Sequence, residues 1–256
     1  LLLNFKRQGT GEPVILIHGL FGSLDNLGLL ARPLSEGFDV ISVDVRNHGA
    51  SFHRESMSYP EMADDILALM DALGLAQATL IGHSMGGKIA MQVAKQAPAR
   101  VSRLVVVDMA PVAYPHARHQ HVFAGLQAVI AAAPAGRSEA DAILAAHVEE
   151  AGVRQFLLKS FAKGEHGWEW RFNVNAIIGA YGDIMGWPDP LSRFDGPTLF
   201  IKGSESDYLL PAHQASVTAQ FPAARARVVS PAGHWLHAEK PSLFNRLVVD
   251  FLSTGG

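Results

Sequence analysis

Pro13–His18 reads PVILIH, and five later runs share its character: Asp39–Asp44, Ala78–Gly82, Leu104–Asp108, Pro197–Lys202 and Ala226–Ser230. These runs are short, rich in Val, Ile and Leu, and show little polar alternation. A strand that alternates buries one face, whereas a strand that is apolar throughout must be covered on both. Amphipathic stretches separate the runs, at Asp25–Leu34, Pro60–Leu73, Gly86–Ala97, Ala212–Gln220 and Ser242–Leu252. A helix between two strands carries the chain back across the sheet, so the strands it joins run parallel. The pattern predicts an α/β fold: a mostly parallel central sheet flanked by helices.

The alternation lapses once. From Val112 to Pro190 there are helical stretches, at Ala124–Ala133 and Glu139–Glu150, but no convincing strand. Gly164–Phe172 is aromatic and charged, and Gly186, Pro188 and Pro190 punctuate the end of the segment. We read 112–190 as a helical cap inserted after the strand that ends at Asp108. Residues 1–111 and 191–256 then make one core domain. A run of ordinary sheet-packing helices is the plainer alternative.

Apolar residues make up 48% of the 256, enough for a sizeable core. Charged residues are 18% and the net charge is -3, so nothing in the balance calls for nucleic acid or an anionic membrane as partner. There is no cysteine, which excludes disulfides, Cys-based zinc sites and thiol catalysis, and fits a cytoplasmic protein. Leu1–Leu3 followed by Lys6 and Arg7 has the reverse order of a secretory leader and is too short for one. No apolar run reaches the ~20 residues of a membrane span. Oligomeric state leaves no signal in the sequence.

The chemistry enters at Gly82-His83-Ser84-Met85-Gly86, after one apolar run and at the start of an amphipathic stretch. A serine on a tight strand-to-helix turn is forced into a strained backbone conformation, and glycine two residues to either side removes the side chains that would collide. The hydroxyl then stands above the sheet, beside the free N–H groups of a helix N-terminus. Ser84 is the candidate nucleophile; a plain helix N-cap is the alternative. Gly82–Lys88 also spells G-x-x-x-x-G-K, the opening of a P-loop. A P-loop needs Ser or Thr next to hold Mg²⁺, and Ile89 stands there.

A serine nucleophile needs a base. His234, in the loop after the last apolar run, satisfies the order Ser, acid, His; His237 falls in the next helical turn. Two aspartates end strands between Ser84 and His234: Asp108, and Asp207 after the run that follows the cap. Counting from Gly203 the acid slot falls on Ser206, and counting back from Pro211 it falls on Asp207, so spacing leaves the acid open. Both loops leave the carboxyl edge of the sheet, where ligands gather in open α/β folds.

His18–Asn26, Asp44–Gly49, Gly82–Lys88, Asp108–Val112 and Gly233–Pro241 together resemble the YbfF-type bacterial esterases and their mitochondrial relatives. The likeness runs nearly end to end and includes Gln155–Ser160 and Trp170–Asn173 in the cap. It implies the α/β-hydrolase fold, a helical cap, and hydrolysis of short- to medium-chain esters or acyl thioesters by a serine esterase without a cofactor. It also implies Asp108 as the acid, since that group carries Ser where Ser206 stands. Asp207 departs from the group and remains the alternative acid.

In such folds the loop after the first core strand supplies one oxyanion N–H and the residue after the nucleophile the other. Leu20 and Met85 are the candidates. His18, Arg46 and His48 are read as loop ties. His116, His119 and His121 suggest a metal, but no acidic partner flanks them and no HExxH occurs, so we expect no metal site. Phe21, Trp168, Trp170, Trp187, Ser206 and Trp235 are candidate pocket walls; the cap tryptophans could equally pack its core. The same Ser-His-Asp set also serves cofactor-free perhydrolases and C–C bond hydrolases. A non-catalytic small-ligand receptor on this fold is the rival of another class.

Overall fold

The computed structural model describes residues 1–254. In chain order its strands are β1 (Phe5–Gln8), β2 (Glu12–Ile17), β3 (Phe38–Val43), β4 (Ala78–His83), β5 (Val101–Val107), β6 (Phe161–Gly164), β7 (Gly167–Trp170), β8 (Thr198–Gly203) and β9 (Ala224–Val229). The α-helices are α1 (Gly28–Leu34), α2 (Tyr59–Ala72), α3 (Met85–Gln96), α4 (Gln120–Ala132), α5 (Arg137–Ala145), α6 (Ala151–Leu158), α7 (Val174–Gly179), α8 (Tyr181–Met185), α9 (Gln214–Gln220), α10 (Leu236–Glu239) and α11 (Pro241–Ser253). None is long and apolar enough to cross a membrane among the described residues.

Seven strands form one sheet in the order β1-β3-β2-β4-β5-β8-β9. β1 is antiparallel to β3, and every other neighbour is parallel. The six apolar runs each fall on a strand of this sheet. β1 has no such run: it reads FKRQ, sits at the edge and is largely exposed. Charged side chains on an edge strand discourage pairing with another chain. Arg7 of β1 also binds Asp39 of β3 through two hydrogen bonds, at 2.8 and 3.0 Å.

Strands β2, β3, β4, β5 and β8 are apolar on both faces because helices cover both. β9, at the sheet edge, is mostly exposed, against the expectation for an apolar run. Val14 and Leu16 join one apolar cluster with Leu30 and Leu34 of α1 and Phe244 and Val248 of α11. Ile15 and Ile17, one step out of phase, join the other with Ile66 of α2 and Ile89 of α3. α2 starts at a capping box, in which Ser58 and Glu61 bond each other's backbone amides, with Pro60 in the first turn.

Between β5 and β8 the chain builds α4 to α8 and the hairpin β6–β7. The hairpin corrects the expectation of a segment without strands. Its strands are four residues long, and only Phe161 and Trp170 are buried. Two short strands with Lys163 and Glu169 among the aromatics show no apolar run, so pattern reading takes them for a loop. The expected helix over Glu139–Glu150 also ends early, at Ala145, and α6 starts afresh at Ala151.

Parallel strands bring their carboxyl ends to one edge. The loops after β2, β4, β5, β8 and β9 carry Leu20, Ser84, Asp108, Ser206 and His234 respectively. The topology alone therefore collects residues more than two hundred positions apart at one edge.

Candidate active site

Ser84 joins β4 to α3 with φ 60° and ψ -123°, a region that non-glycine residues avoid. Such a conformation costs on the order of 1–3 kcal/mol and persists only where its surroundings enforce it. They do so here. A Cβ on Gly82 would collide with the carbonyl of Gly86, and one on Gly86 with the carbonyl of Ile17. The Ser84 amide donates to Val107 O at 3.1 Å, and its carbonyl accepts from Gly87 N at 2.8 Å.

The Ser84 hydroxyl lies 2.9 Å from His234 Nε2, and His234 Nδ1 lies 2.5 Å from Asp108 Oδ2. An ionised carboxylate only accepts, so Nδ1 carries the imidazole proton and Nε2 accepts from Ser84. Asp108 is 0% exposed. Its other oxygen accepts the Gly203 amide at 3.0 Å, and Ser206 Oγ donates to Oδ2. A buried carboxylate that accepts from three donors is held firmly in place.

Asp207 lies elsewhere. Its side chain is 71% exposed and pairs with Arg118 at 3.0 Å, with no hydrogen bond to His234. Ser206 belongs to the support of Asp108. Sequence reading did not find Tyr208, whose ring stacks on that of His234. Nor did it find His83, which donates from Nε2 to the carbonyl of His234 at 2.8 Å. Burial keeps His83 neutral, with its pKa well below the ordinary histidine value.

The loop after β2 passes beside the serine: a Cβ on Gly19 would sit 2.9 Å from Ser84 Cβ. Two histidines hold this loop. His18 Nε2 accepts the Val45 amide at 3.0 Å, and His48 Nε2 accepts the Phe21 amide at 3.0 Å. Their Nδ1–H groups donate to Gly19 O at 2.7 Å and Arg46 O at 2.9 Å. Burial lowers the pKa of His18 to about 4 and that of His48 to about 3. Arg46 ties its own loop to Asp65 at 2.7 Å. With the Phe21 amide taken, Leu20 keeps an unbonded N–H among the described residues. Met85, in the first turn of α3, offers a second, since a first-turn amide has no intrahelical acceptor. Both residues line the cavity that contains Ser84.

That cavity has a volume of about 230 Å³. Phe21 and Trp235 line it as expected; Trp168, Trp170, Trp187 and Ser206 do not. The tryptophans pack against other side chains instead. Trp168 stacks on Phe161 at 5.7 Å and Trp170 on Phe172 at 5.2 Å, while Trp187 donates to Gln220 at 2.7 Å. The walls are apolar residues with no motif of their own, among them Val122, Val153, Leu157, Ile184 and Met185. Lys88 and Arg118 also reach the cavity. So does His119, whose Nδ1 meets the Tyr181 hydroxyl at 2.5 Å.

Residues 12–241 match the family profile described as alpha/beta hydrolase fold. The chain is 46% identical to Esterase YbfF of Escherichia coli over 97% of its own length and 96% of that protein. It is 40% identical to the mouse sn-1-specific diacylglycerol lipase ABHD11, over 96% of this chain and 82% of that one. Among solved structures, one titled "Marine microorganism esterase" superposes with a TM-score of 0.94 at 35% identity, covering 98% of this chain and 99% of its own.

Proposed function

The chain belongs to the α/β-hydrolase fold family, and from that membership we propose that it is a serine esterase acting on short- to medium-chain carboxylic esters or acyl thioesters. One observation carries the reading. The Ser84 hydroxyl, the His234 imidazole and the buried Asp108 carboxylate form one hydrogen-bonded line, with steps of 2.9 and 2.5 Å. It ends in a cavity bordered by Leu20 and Met85.

Ser84 attacks the ester carbonyl as His234 takes its proton. Asp108 holds the ring in the productive tautomer and stabilises the imidazolium. The Leu20 and Met85 amides receive the charge that develops on the carbonyl oxygen, each worth about 3 kcal/mol by analogy with other oxyanion donors. His234 then gives its proton to the departing alcohol, leaving an acyl-serine. Water enters, loses its proton to His234 and releases the acid. In this reading 112–190 is the cap that bounds the acyl site, over a core of 1–111 and 191–256. Residues from α4, α6 and α8 supply much of the cavity wall.

The test is a time course with p-nitrophenyl acetate on the protein and on Ser84→Ala. We expect a burst of nitrophenol followed by steady turnover, both lost in the variant, with thermal stability unchanged or raised as backbone strain relaxes. Turnover within about tenfold of the parent would contradict a serine nucleophile, since triad serines are worth far more.

A further inference from the structure

Lys88 is a buried ammonium group without a counter-ion. It follows Ser84 by four residues, which places it one helical turn along the same face of α3. The residue is 1% exposed and borders the cavity. Nζ donates to the carbonyl oxygens of Gly186 at 2.9 Å and Met185 at 3.4 Å. The rings of Tyr114, Tyr59 and Trp187 surround it at 4.8, 5.5 and 5.9 Å. Every ion pair among the described residues is made by some other cation.

The surroundings are short of negative charge. Behind Trp187 lies Lys95, 4.9 Å from that ring, which donates to Gln220 at 2.7 Å and to the carbonyl of Asp189. Arg118 lies 5.6 Å from the centroid of the Tyr114 ring. Tyr59 and Tyr114 stay protonated, because burial raises both their pKa values. An ammonium group has three donors, and two of those of Lys88 are engaged. A buried cation in such a place gains much from an anion that reaches it. Without one, burial draws the Lys88 pKa down to about 7.

We propose that Lys88 forms the cationic end of the acyl pocket and selects acyl groups that terminate in a carboxylate. The preferred substrates are then half-esters of short dicarboxylic acids. This rests on Ser84 as the nucleophile and names the substrate class for the same site. The distal carboxylate binds Nζ while Ser84 attacks the ester carbonyl. The alcohol leaves with the proton from His234, and water releases the diacid. Binding energy from the remote carboxylate thus orients the reacting carbonyl.

The experiment compares kcat/KM for monomethyl esters of the diacids from malonate to suberate with methyl esters of monoacids of equal chain length. One half-ester length is expected to exceed its neutral partner about tenfold or more, the range of a charge-assisted hydrogen bond. That preference should fade as pH rises past about 7, where free Lys88 loses its proton. Lys88→Met should abolish the preference, and Lys88→Arg should retain it with the optimum moved to a shorter diacid. Hydrolysis of the neutral series with no favoured half-ester would overturn the proposal and leave the esterase reading standing; failure of both series would overturn the two together. Equal loss of both series in Lys88→Met would make the residue a tether for the 185–186 backbone, against the proposal. Should that variant not fold, a preference unchanged from about pH 6 to 9 in the parent overturns it equally.

Discussion

The ring of Tyr208 lies 4.0 Å from that of His234, inclined by only 22°. On Tyr208 in turn lies the guanidinium of Arg118, 4.1 Å from the ring centroid. The Tyr208 amide donates to Ser206 Oγ at 3.3 Å, and Ser206 donates to Asp108. The histidine is thus held at one nitrogen by a carboxylate and across its face by an aromatic plate anchored to the same carboxylate. In the proposed mechanism a base that must meet Ser84, then alcohol, then water needs this restraint, because small misplacements are expensive in rate.

Tyr208→Leu should therefore lower kcat by about tenfold or more with KM little changed, because it frees the base without touching the oxyanion donors. Tyr208→Phe keeps the ring and should stay near the parent. Steady-state kinetics on the two variants check this. A large loss in Tyr208→Phe would mean that the hydroxyl, rather than the stack, matters.

Asp108→Asn should cost about 10⁴ in kcat, the size of the same change in a well-studied triad, because the amide favours the wrong imidazole tautomer. Asp207→Asn should change activity little, since its exposed pair with Arg118 belongs to a class worth about 0–1 kcal/mol. Parallel assays decide between them. A crippled Asp207→Asn beside an active Asp108→Asn would move the acid to the loop after β8.

Much of this geometry could be read in the sequence, for a physical reason. Glycine at 82 and 86 and serine at 84 are demanded by one backbone conformation, so the elbow leaves a local mark. The acid is different. Asp108 and Asp207 both follow buried strands, and only the fold decides which carboxylate turns toward His234. The tryptophans misled because an aromatic in a cap packs as readily as it lines a cavity. Lys88 was visible only as part of a rejected P-loop. Tyr208 acts through neighbours distant in sequence, and no spacing rule could reveal it. His48, by contrast, is legible as a loop tie, and it does accept the Phe21 amide.

Acid should destabilise the protein in a defined window. Burial lowers the pKa of His18, His119 and His237 to about 4 and that of His48 to about 3. The folded state therefore keeps these rings neutral while the unfolded chain takes up protons below about pH 6.5. Their contribution to stability is complete above that value and shrinks as pH falls toward 4, by up to about 1.4 kcal/mol per pH unit for each ring. Urea denaturation at stepped pH should show the slope. His48→Gln, which can still accept the Phe21 amide, should flatten it. A midpoint constant from pH 7 to 4.5 would contradict neutral buried histidines.

The last expectation concerns acyl length among neutral esters. Each methylene buried against Val122, Val153, Leu157, Ile184 and Met185 should add about 0.8 kcal/mol of binding until the space is full. The cavity holds about 230 Å³, and Lys88 offers a polar wall that an alkyl end cannot satisfy. Beyond that point overpacking costs about 1–3 kcal/mol. For p-nitrophenyl esters kcat/KM should rise and then fall, with its maximum at roughly C2 to C8. Shortening a wall residue, as in Leu157→Ala, should move the maximum to longer chains, since the vacated volume takes up additional methylenes. A rate that climbs steadily to palmitate, or jumps once substrate exceeds its solubility, would instead indicate an open groove used at a lipid surface.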